Sequence, residues 1–309
     1  MSAMADTPSG PMVVACIRVG DLRPRVDPLS GAVVRDRLGV GISAADAAAL
    51  EYAFRLAGAW SGHVVVVTAG PPSADPLLRE VSALGATVLR VADTAPASDP
   101  GYAEDLGSDE RGEAVAIAHA LAGYGRPAVV LCGDRSADRG TGALPAFLAH
   151  ELGAAQALGL VALAPGDQPR TLVAERRLDG GWRERLRIPC PAVCSVEGAG
   201  VRLRRASLTA ALAAESTRVP EVAAGAVGPG PGRMVLGPVR PFRPRTRVVP
   251  PPAGDDPRVR LLALTGALVA HDPPTVVGPV DASGAADALL DFLHRHGYLD
   301  GPTENGTDR

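Results

Sequence analysis

The chain has 309 residues, of which 46% are hydrophobic, 21% charged and 3% aromatic, and its net charge is −3. This composition is typical of a globular protein with a large core, in one domain or in one domain with an appendage. It argues against nucleic acid as a partner, because the arginines are scattered and few aromatic side chains are available to stack on bases.

The N-terminal segment "MSAMADTPSG" lacks the basic and apolar regions of a signal peptide, and no apolar stretch reaches the roughly 18 residues of a membrane span. We therefore expect a cytoplasmic protein that does not insert into a membrane. The four cysteines have no metal-ligand spacing and are predicted to pack as small hydrophobic residues. Neither a metal site nor a set of catalytic residues is predicted.

Short apolar runs rich in β-branched residues predict four buried strands, at 12–19, 63–70, 86–92 and 127–133. Segments with apolar residues at helical spacing lie between them, at 47–57, 77–84 and 114–121. Strands that are apolar throughout and alternate with helices are typical of a parallel sheet covered on both faces. The predicted fold class is therefore α/β, with a doubly wound, mostly parallel sheet.

The remaining segments predict additions to this sheet. The turn residues "DPLSG" after the first strand indicate a β-hairpin, and four later segments that alternate polar and apolar residues predict antiparallel strands: "RTLVAERRL", "GGWRERLRI", "PAVCSVEG" and "GVRLRRASL". From 219 to 257 the chain is dense in Pro and Gly, which predicts an arm that stays mobile or lies along a partner. An amphipathic C-terminal helix follows, with Ser283 as its predicted N-cap.

The stretch "GDRSADRGTGALPAFLAHELG" (133–153) is a candidate nucleotide site, because ligands of open α/β sheets bind beyond the carboxyl ends of the strands. Asp138 is short enough to accept hydrogen bonds from a ribose, and Gly140 and Gly142 allow close approach of the backbone. Amides of the helix N-terminus at 141–144 would then face a phosphate. From the residues alone, an ordinary strand-to-helix loop is an equal alternative.

A second candidate is "GVGISAAD" (39–46), which matches the pattern G-x-G-x-x-A. The segment before it is short and charged, whereas the dinucleotide-binding fingerprint requires a solid strand there. A helix start is the better interpretation, with Ser43 as N-cap and Asp46 completing an imperfect capping box. The amides of such a helix start can also meet an anion.

Several segments occur in an order that points to a known family. They run from "VVACIRVGD" through "VDPLSGAVV" and "SAADAAALEYAFRL" to "VVVVTAGPP". "GDRSADRGTGALP" then aligns without gaps to G-x-Q-A-x-D-G-D-T-G-Q-V-G, with matches at Gly133, Asp138, Thr141 and Gly142. "RRLDGGWRERLRIPCPAVCSV" and "RRASLTAALAAE" follow in the expected places. Over about residues 12 to 220, and more loosely in the C-terminal helix, the chain resembles the β subunit of electron transfer flavoproteins.

The resemblance implies a Rossmann-like, adenine-nucleotide-binding fold and a heterodimer with an α subunit that makes most contacts to one FAD. It implies an electron carrier rather than a catalyst of bond chemistry, taking electrons from a dehydrogenase and passing them to a quinone-linked or other redox acceptor. Residues 12–218 would form the nucleotide-binding domain, and 219–309 an arm and helix packed on the partner subunit. The chain itself would bind AMP, or in bifurcating members a second FAD, through Ala15, Ser43, Ala44, Ala45, Asp46, Ala69, Gly133, Arg135, Ser136, Asp138, Gly140, Thr141 and Gly142.

The chain departs from the family pattern at Arg135, Gly140 and Ala143, where the family has Gln, Asp and Gln. These changes remove hydrogen-bond partners for a nucleotide, while Arg135 adds a donor for a phosphate. They predict a divergent branch, for which the branch found with mycofactocin-dependent redox systems is one candidate.

Leu208 stands where the family places a leucine that inserts into the partner dehydrogenase; the alternative is that it packs in this chain's own core. The Lys-rich segment that follows in the family is replaced by "TAALAAESTR", so electrostatic steering would be weak. A partner different from the usual acyl-CoA dehydrogenases is expected.

Two other functions stay open from the sequence. One is a stand-alone adenine-nucleotide enzyme, such as a hydrolase or ligase, which needs a metal ligand or general base beside Asp138; only Asp134 and His150 are near in sequence. The other is a nucleotide-binding sensor. The long Pro-rich arm argues against it, because a segment of this composition is stabilised most when it wraps another subunit.

Overall fold

The computed structural model describes residues 10–34, 39–92, 110–137, 140–224, 243–246, 251–252, 254–266 and 276–299. The chain divides into two compact units, Met1–Arg243 and Pro244–Arg309. The described strands are β1 Met12–Cys16, β2 Val19–Asp21, β3 Arg25–Val26, β4 Val33–Val34, β5 Val40–Ile42, β6 His63–Ala69, β7 Thr87–Val91, β8 Val129–Gly133, β9 Ala155–Pro165, β10 Thr171–Arg177, β11 Arg183–Pro189, β12 Ala192–Val196 and β13 Glu221–Val222. The described helices are α1 Ala44–Ala59, α2 Asp75–Ser82, α3 Glu110–Ala122, α4 Leu144–Glu151, α5 Leu208–Ala214, α6 Pro257–Leu264 and α7 Ala282–Arg295.

Among the described strands, nine form one sheet in the order β11-β10-β9-β12-β8-β1-β6-β7-β13. The seven strands that follow one another in this order, from β9 to the edge strand β13, run parallel. Strand β10 pairs antiparallel with both of its neighbours, β9 and β11. The central strand β1 is buried along its whole length. The predicted α/β class with a doubly wound, mostly parallel sheet is confirmed.

Apolar side chains pack on both faces of the sheet. On one face, α1 and α2 cover the sheet with Leu50, Leu56 and Leu78 fully buried. On the other face, α3 and α4 contribute Leu121 and Leu148. Continuous apolar runs such as those of β1 and β6 fit this arrangement, because each central strand is covered from both sides.

The segment between β1 and α1 contains the predicted hairpin. β3 pairs antiparallel with β4, and Asp27 shapes the turn between them by accepting the amides of Leu29 at 2.7 Å and Ser30 at 3.1 Å. An outer pair, β2 with β5, returns the chain to the start of α1. The turn residues of "DPLSG" therefore predicted this element correctly.

Three predictions about the second half were wrong. "PAVCSVEG" forms β12, which is parallel rather than antiparallel; it is an internal strand between β8 and β9, and all its residues are buried. "GVRLRRASL" forms no strand: Arg204 is held by the carboxylate of Glu51 in α1 at 3.0 Å, and α5 then begins. Helix α7 begins one residue after Asp281, whose carboxylate caps the Gly284 amide at 2.8 Å, so Ser283 is not the N-cap.

None of the described helices is long and apolar enough to cross a membrane.

Candidate functional site

The candidate site lies at the carboxyl ends of the central parallel strands. The chain runs from β1 outward to β6 and β7, and then crosses to β8 on the other side of β1. The strand order therefore reverses between β1 and β8, and ligands of open α/β sheets bind in the crevice at such a point. The described residues of the 133–142 loop follow directly after β8.

Asp46, in the first turn of α1, joins three segments at this crevice. The Ser43 hydroxyl caps the helix by accepting the Asp46 amide at 3.0 Å and donates to Asp46 Oδ2 at 2.6 Å. The Asp46 carboxyl also accepts the amides of Arg18 and Gly133, which follow β1 and end β8. Burial raises the pKa of Asp46 to about 6, although these hydrogen bonds and the Arg18 charge oppose the rise. The predicted cap and capping-box pair are confirmed.

Two glycines of the loop are required because neighbouring atoms approach their backbone closely. A Cβ atom at Gly133 would lie 2.8 Å from Asp46 Oδ1 and 3.2 Å from the Ala45 Cβ. A Cβ atom at Gly142 would lie 2.7 Å from the carbonyl oxygen of Asp134. The start of α1 and the loop therefore meet the end of β8 at distances that only glycine permits.

The loop closes on itself through its own backbone. The Ser136 amide donates to the Thr141 carbonyl at 2.7 Å, and the Gly140 amide donates to the Ser136 carbonyl at 2.9 Å. Gly140 has a φ of +67°, in the left-handed region that favours glycine. The Arg135 guanidinium is exposed and lies 3.3 Å from the Asp134 carboxylate. Asp138 lies outside the described residues.

A charged cluster that the sequence analysis missed lies beside the crevice. Arg18 Nη2 donates to Glu110 Oε1 at 2.5 Å, and the Glu113 carboxylate lies 3.7 Å from the same nitrogen. Arg18 Nη1 also donates to the Thr141 hydroxyl at 3.4 Å. Glu110 Oε2 accepts the Ala143 amide at 2.8 Å, directly before α4. No motif marks these residues: Arg18 follows a strand, Glu110 begins α3, and 92 positions separate them.

The electrostatics of the cluster follow from these contacts. Burial alone would raise the pKa of Glu110, but the Arg18 guanidinium and the Ala143 amide hold it below its usual range. Glu110 is therefore a carboxylate at neutral pH, with both oxygens bound to donors. Arg18 Nε is buried and has no hydrogen-bond partner among the described residues.

A small, open cleft lies beside this cluster. Its lining includes Arg18, Asp46 and Arg135. Cys16 and Cys132 face each other across β1 and β8 at its base, and their mutual hydrogen bond and burial raise the pKa of the Cys132 thiol. The described residues contain no group of His, Cys, Asp and Glu that could hold a metal ion. The polar groups that line the cleft are the guanidinium groups of Arg18 and Arg135, the Asp46 carboxyl and loop backbone.

The other predicted pocket residues have different degrees of exposure. Ala15 is fully buried in β1, so only its backbone could face a ligand. Ala44 and Ala45 open α1, and Ala69 ends β6 with its side chain partly exposed. Leu208 is the first residue of α5, and it is 76% exposed rather than packed in the core. The structure brings Gly133 against Ala45 and Asp46, and Thr141 against Arg18, while Leu208 is carried by a separate helix.

Comparisons with known proteins agree with this architecture. The family model described as the electron transfer flavoprotein domain matches residues 30–227. The chain is 33% identical to the FixA protein of Rhizobium meliloti over 217 residues, which cover 67% of this chain and 70% of that protein. It is 31% identical to the FixA protein of Azorhizobium caulinodans over 215 residues, covering 67% and 73%. It is 28% identical to the electron transfer flavoprotein subunit beta of Thermoanaerobacterium thermosaccharolyticum over 159 residues, covering 51% and 56%.

Proposed function

Since this chain belongs to the electron transfer flavoprotein family, we propose that it is the β-type subunit of a heterodimer that carries electrons from a dehydrogenase to a downstream acceptor. Family membership gives it a role in electron transfer within a complex of this type. The proposed acceptor is quinone-linked or another redox protein. The four cysteines are free thiols, as cytoplasmic proteins keep them, and the cytoplasm is the proposed location.

The proposed redox cofactor is one FAD, held mainly by the α-type subunit. When bound, the flavin supplies the electron chemistry, and the protein supplies binding and a docking surface. The described part of this chain adds no metal centre to that chemistry. We propose that this subunit orients the cofactor and docks on redox partners, rather than catalysing bond chemistry itself.

The proposed second ligand is an adenine nucleotide, AMP or a second FAD, in the crevice at the carboxyl ends of β1, β6 and β8. The observation that carries this proposal is the hydrogen-bonded junction at Asp46, which holds the start of α1 against the ends of β1 and β8. Gly133 and Gly142 allow the start of α1 and the loop to pack closely at this edge of the sheet. The buried Arg18 Nε, which has no partner among the described residues, is a further polar group at this edge.

Two further surfaces complete the proposed complex. Leu208 is proposed to contact the electron-donating dehydrogenase, and its support is the exposure of a large apolar side chain at the start of a helix. Residues 219–309 are proposed to pack on the α-type subunit. In α7, Leu289 and Phe292 are exposed apolar side chains of the kind that another chain covers.

The experiment that tests the proposal is co-expression with the α-type subunit gene, purification of the complex, and quantification of the FAD and AMP released on denaturation. One FAD and one AMP per heterodimer are expected. Two FAD and no AMP per heterodimer would indicate that a second flavin takes the place of AMP in the complex. Absence of a stable complex and of flavin contradicts the electron-carrier proposal and favours a stand-alone nucleotide-binding protein.

A pair of variants locates the nucleotide. Ala69→Leu enlarges a side chain at the end of β6, in the proposed pocket, and we expect it to lower the AMP retained by the complex. Ala59→Leu makes the same change at an exposed position at the end of α1 and should leave the AMP content unchanged. Equal nucleotide loss in both variants, or in neither, contradicts the proposed location.

A further inference from the structure

Glu110 holds the donors that a ligand phosphate would use at the proposed nucleotide site. Its Oε1 accepts from Arg18 Nη2 at 2.5 Å, and its Oε2 accepts the Ala143 amide at 2.8 Å. A guanidinium and an amide at a helix N-terminus are the groups with which proteins bind phosphate. The Thr141 hydroxyl, which hydrogen-bonds Arg18 at 3.4 Å, stands beside them.

The Glu110 carboxylate is not a loose surface group. Its side chain is 11% exposed, and that of Arg18 is 17% exposed. Both of its oxygens are engaged in charge-assisted hydrogen bonds, which are the stronger kind in proteins. A ligand phosphate could reach the Ala143 amide only after displacing this carboxylate.

The charges around the position also oppose a second anion. The Glu113 carboxylate lies 3.7 Å from Arg18 Nη2, and the Asp46 carboxyl lines the same cleft. The exposed Arg135 guanidinium already lies 3.3 Å from the carboxylate of Asp134, its neighbour in the loop. An incoming phosphate would therefore meet carboxylates on the side where the helix offers its amide.

We propose that Glu110 is a specificity-determining residue of the nucleotide site, an internal carboxylate that takes the place of a ligand phosphate. The inference rests on the proposed function, because it concerns the nucleotide that this chain would bind. If Glu110 has this role, the binding affinity of the site comes from the nucleoside part of the ligand. A terminal phosphate then adds nothing to the affinity. Replacing Glu110 frees Arg18 and the Ala143 amide for phosphate.

The test compares AMP with adenosine by calorimetric titration of the nucleotide-free complex. In the wild type the two dissociation constants are expected to be equal within about twofold. In Glu110→Ala, AMP should bind about tenfold or more tightly than adenosine, as one charge-assisted hydrogen bond predicts. Glu110→Gln, which keeps the shape and removes the charge, should change the ratio in the same direction and guards against misfolding of the alanine variant.

The control is Glu151→Ala, which removes an exposed carboxylate at the opposite end of α4. Its AMP-to-adenosine ratio should match that of the wild type. A wild-type ratio that already favours AMP tenfold overturns the inference, and so does a ratio that stays near one after both Glu110 substitutions.

A second measurement separates this inference from the proposed function. Thermal unfolding of the full chain is followed in inorganic phosphate and in chloride at matched ionic strength. Phosphate should raise the melting temperature of Glu110→Ala but not of the wild type or of Glu151→Ala. If no adenosine or AMP binds but this phosphate effect is present, the nucleotide proposal fails, while the occupation of the phosphate donors by Glu110 is supported. An equal effect in all three proteins overturns that occupation.

Discussion

The Ser43 hydroxyl donates a hydrogen bond to Asp46 Oδ2 at 2.6 Å while it accepts the Asp46 amide at 3.0 Å. This reciprocal pair caps α1 and keeps a buried carboxyl hydrogen-bonded. Because the same carboxyl accepts the amides of Arg18 and Gly133, one side chain holds the helix start against two neighbouring strand ends. The geometry of the candidate site depends on this junction.

The first prediction concerns the pH dependence of stability at Asp46. Its pKa is about 6 in the folded protein, against an ordinary value of 3.8, so the folded state binds the proton more tightly. The stabilising contribution of protonated Asp46 is present below pH 4 and is lost as the pH rises from about 4 to about 6. Relative to Asp46→Asn, the wild type should lose on the order of 2 kcal/mol of unfolding free energy across that range.

Urea unfolding of both proteins at several pH values between about 4 and 7 measures this difference. Effects of other titrating groups cancel in the comparison, because both proteins contain them. A difference that does not change with pH would show that Asp46 titrates at its ordinary value when folded.

The second prediction concerns the close approach at Gly133. Gly133→Ala places a Cβ atom 2.8 Å from Asp46 Oδ1, so the helix start must move away from β8. We expect the free energy of unfolding to fall by about 2 kcal/mol, as for other overpacked sites. Chemical denaturation measures the change.

Gly58→Ala is the matched control for this substitution. Gly58 lies within α1, and a Cβ atom there meets nothing within 4 Å. Its replacement should raise the free energy of unfolding by up to about 1 kcal/mol, because alanine has the higher helix propensity. Equal effects at the two glycines would contradict the steric account of Gly133.

The third prediction concerns Arg90, which attaches β13 to the edge of the sheet. Its guanidinium donates to Asp75 Oδ1 at 2.8 Å and to Glu221 Oε2 at 2.5 Å, and it is itself buried. Arg90→Met leaves both carboxylates without this partner, and we expect a loss of about 1 to 2 kcal/mol because the carboxylates are partly solvated.

Hydrogen exchange provides a local measurement of the same substitution. The amide of residue 90 donates to the Pro220 carbonyl and the amide of Ala92 to the Val222 carbonyl, both at 2.9 Å. These two amides should exchange faster in Arg90→Met. They should be unchanged in Arg183→Met, whose exposed side chain lies 3.7 Å from Glu175; unchanged exchange in both variants would contradict the role of Arg90.

The fourth prediction concerns Leu208. Because its side chain is 76% exposed, Leu208→Ala should change the free energy of unfolding by less than about 0.5 kcal/mol. The buried Leu50 gives the contrast, since Leu50→Ala should cost about 2 to 5 kcal/mol. Electron transfer from the cognate dehydrogenase should slow in Leu208→Ala; an unchanged rate would contradict the docking proposal.

Local sequence patterns were sufficient to predict much of the fold. The apolar runs of β1, β6, β7 and β8 and the helical spacing between them predicted the α/β class, because side-chain periodicity reports which faces of an element are buried. Ser43 was predicted as a cap because capping depends only on residues within one turn. The same local rule failed at α7, where Asp281 and Ser283 are both good caps and the helix begins after the earlier one.

The sequence by itself determined the buried strands and helices of the first half, the alternation that makes a doubly wound sheet, and the family that the chain resembles. Only the tertiary structure decided the direction of β12, which depends on strands far away in the sequence, and the meeting of Arg18, Glu110 and Ala143. Which distant residues contact each other depends on where the parallel strands end in space. Side-chain periodicity and helix capping describe only local structure and do not predict such contacts. The chemistry of the candidate site was therefore decided by contacts that no local pattern records.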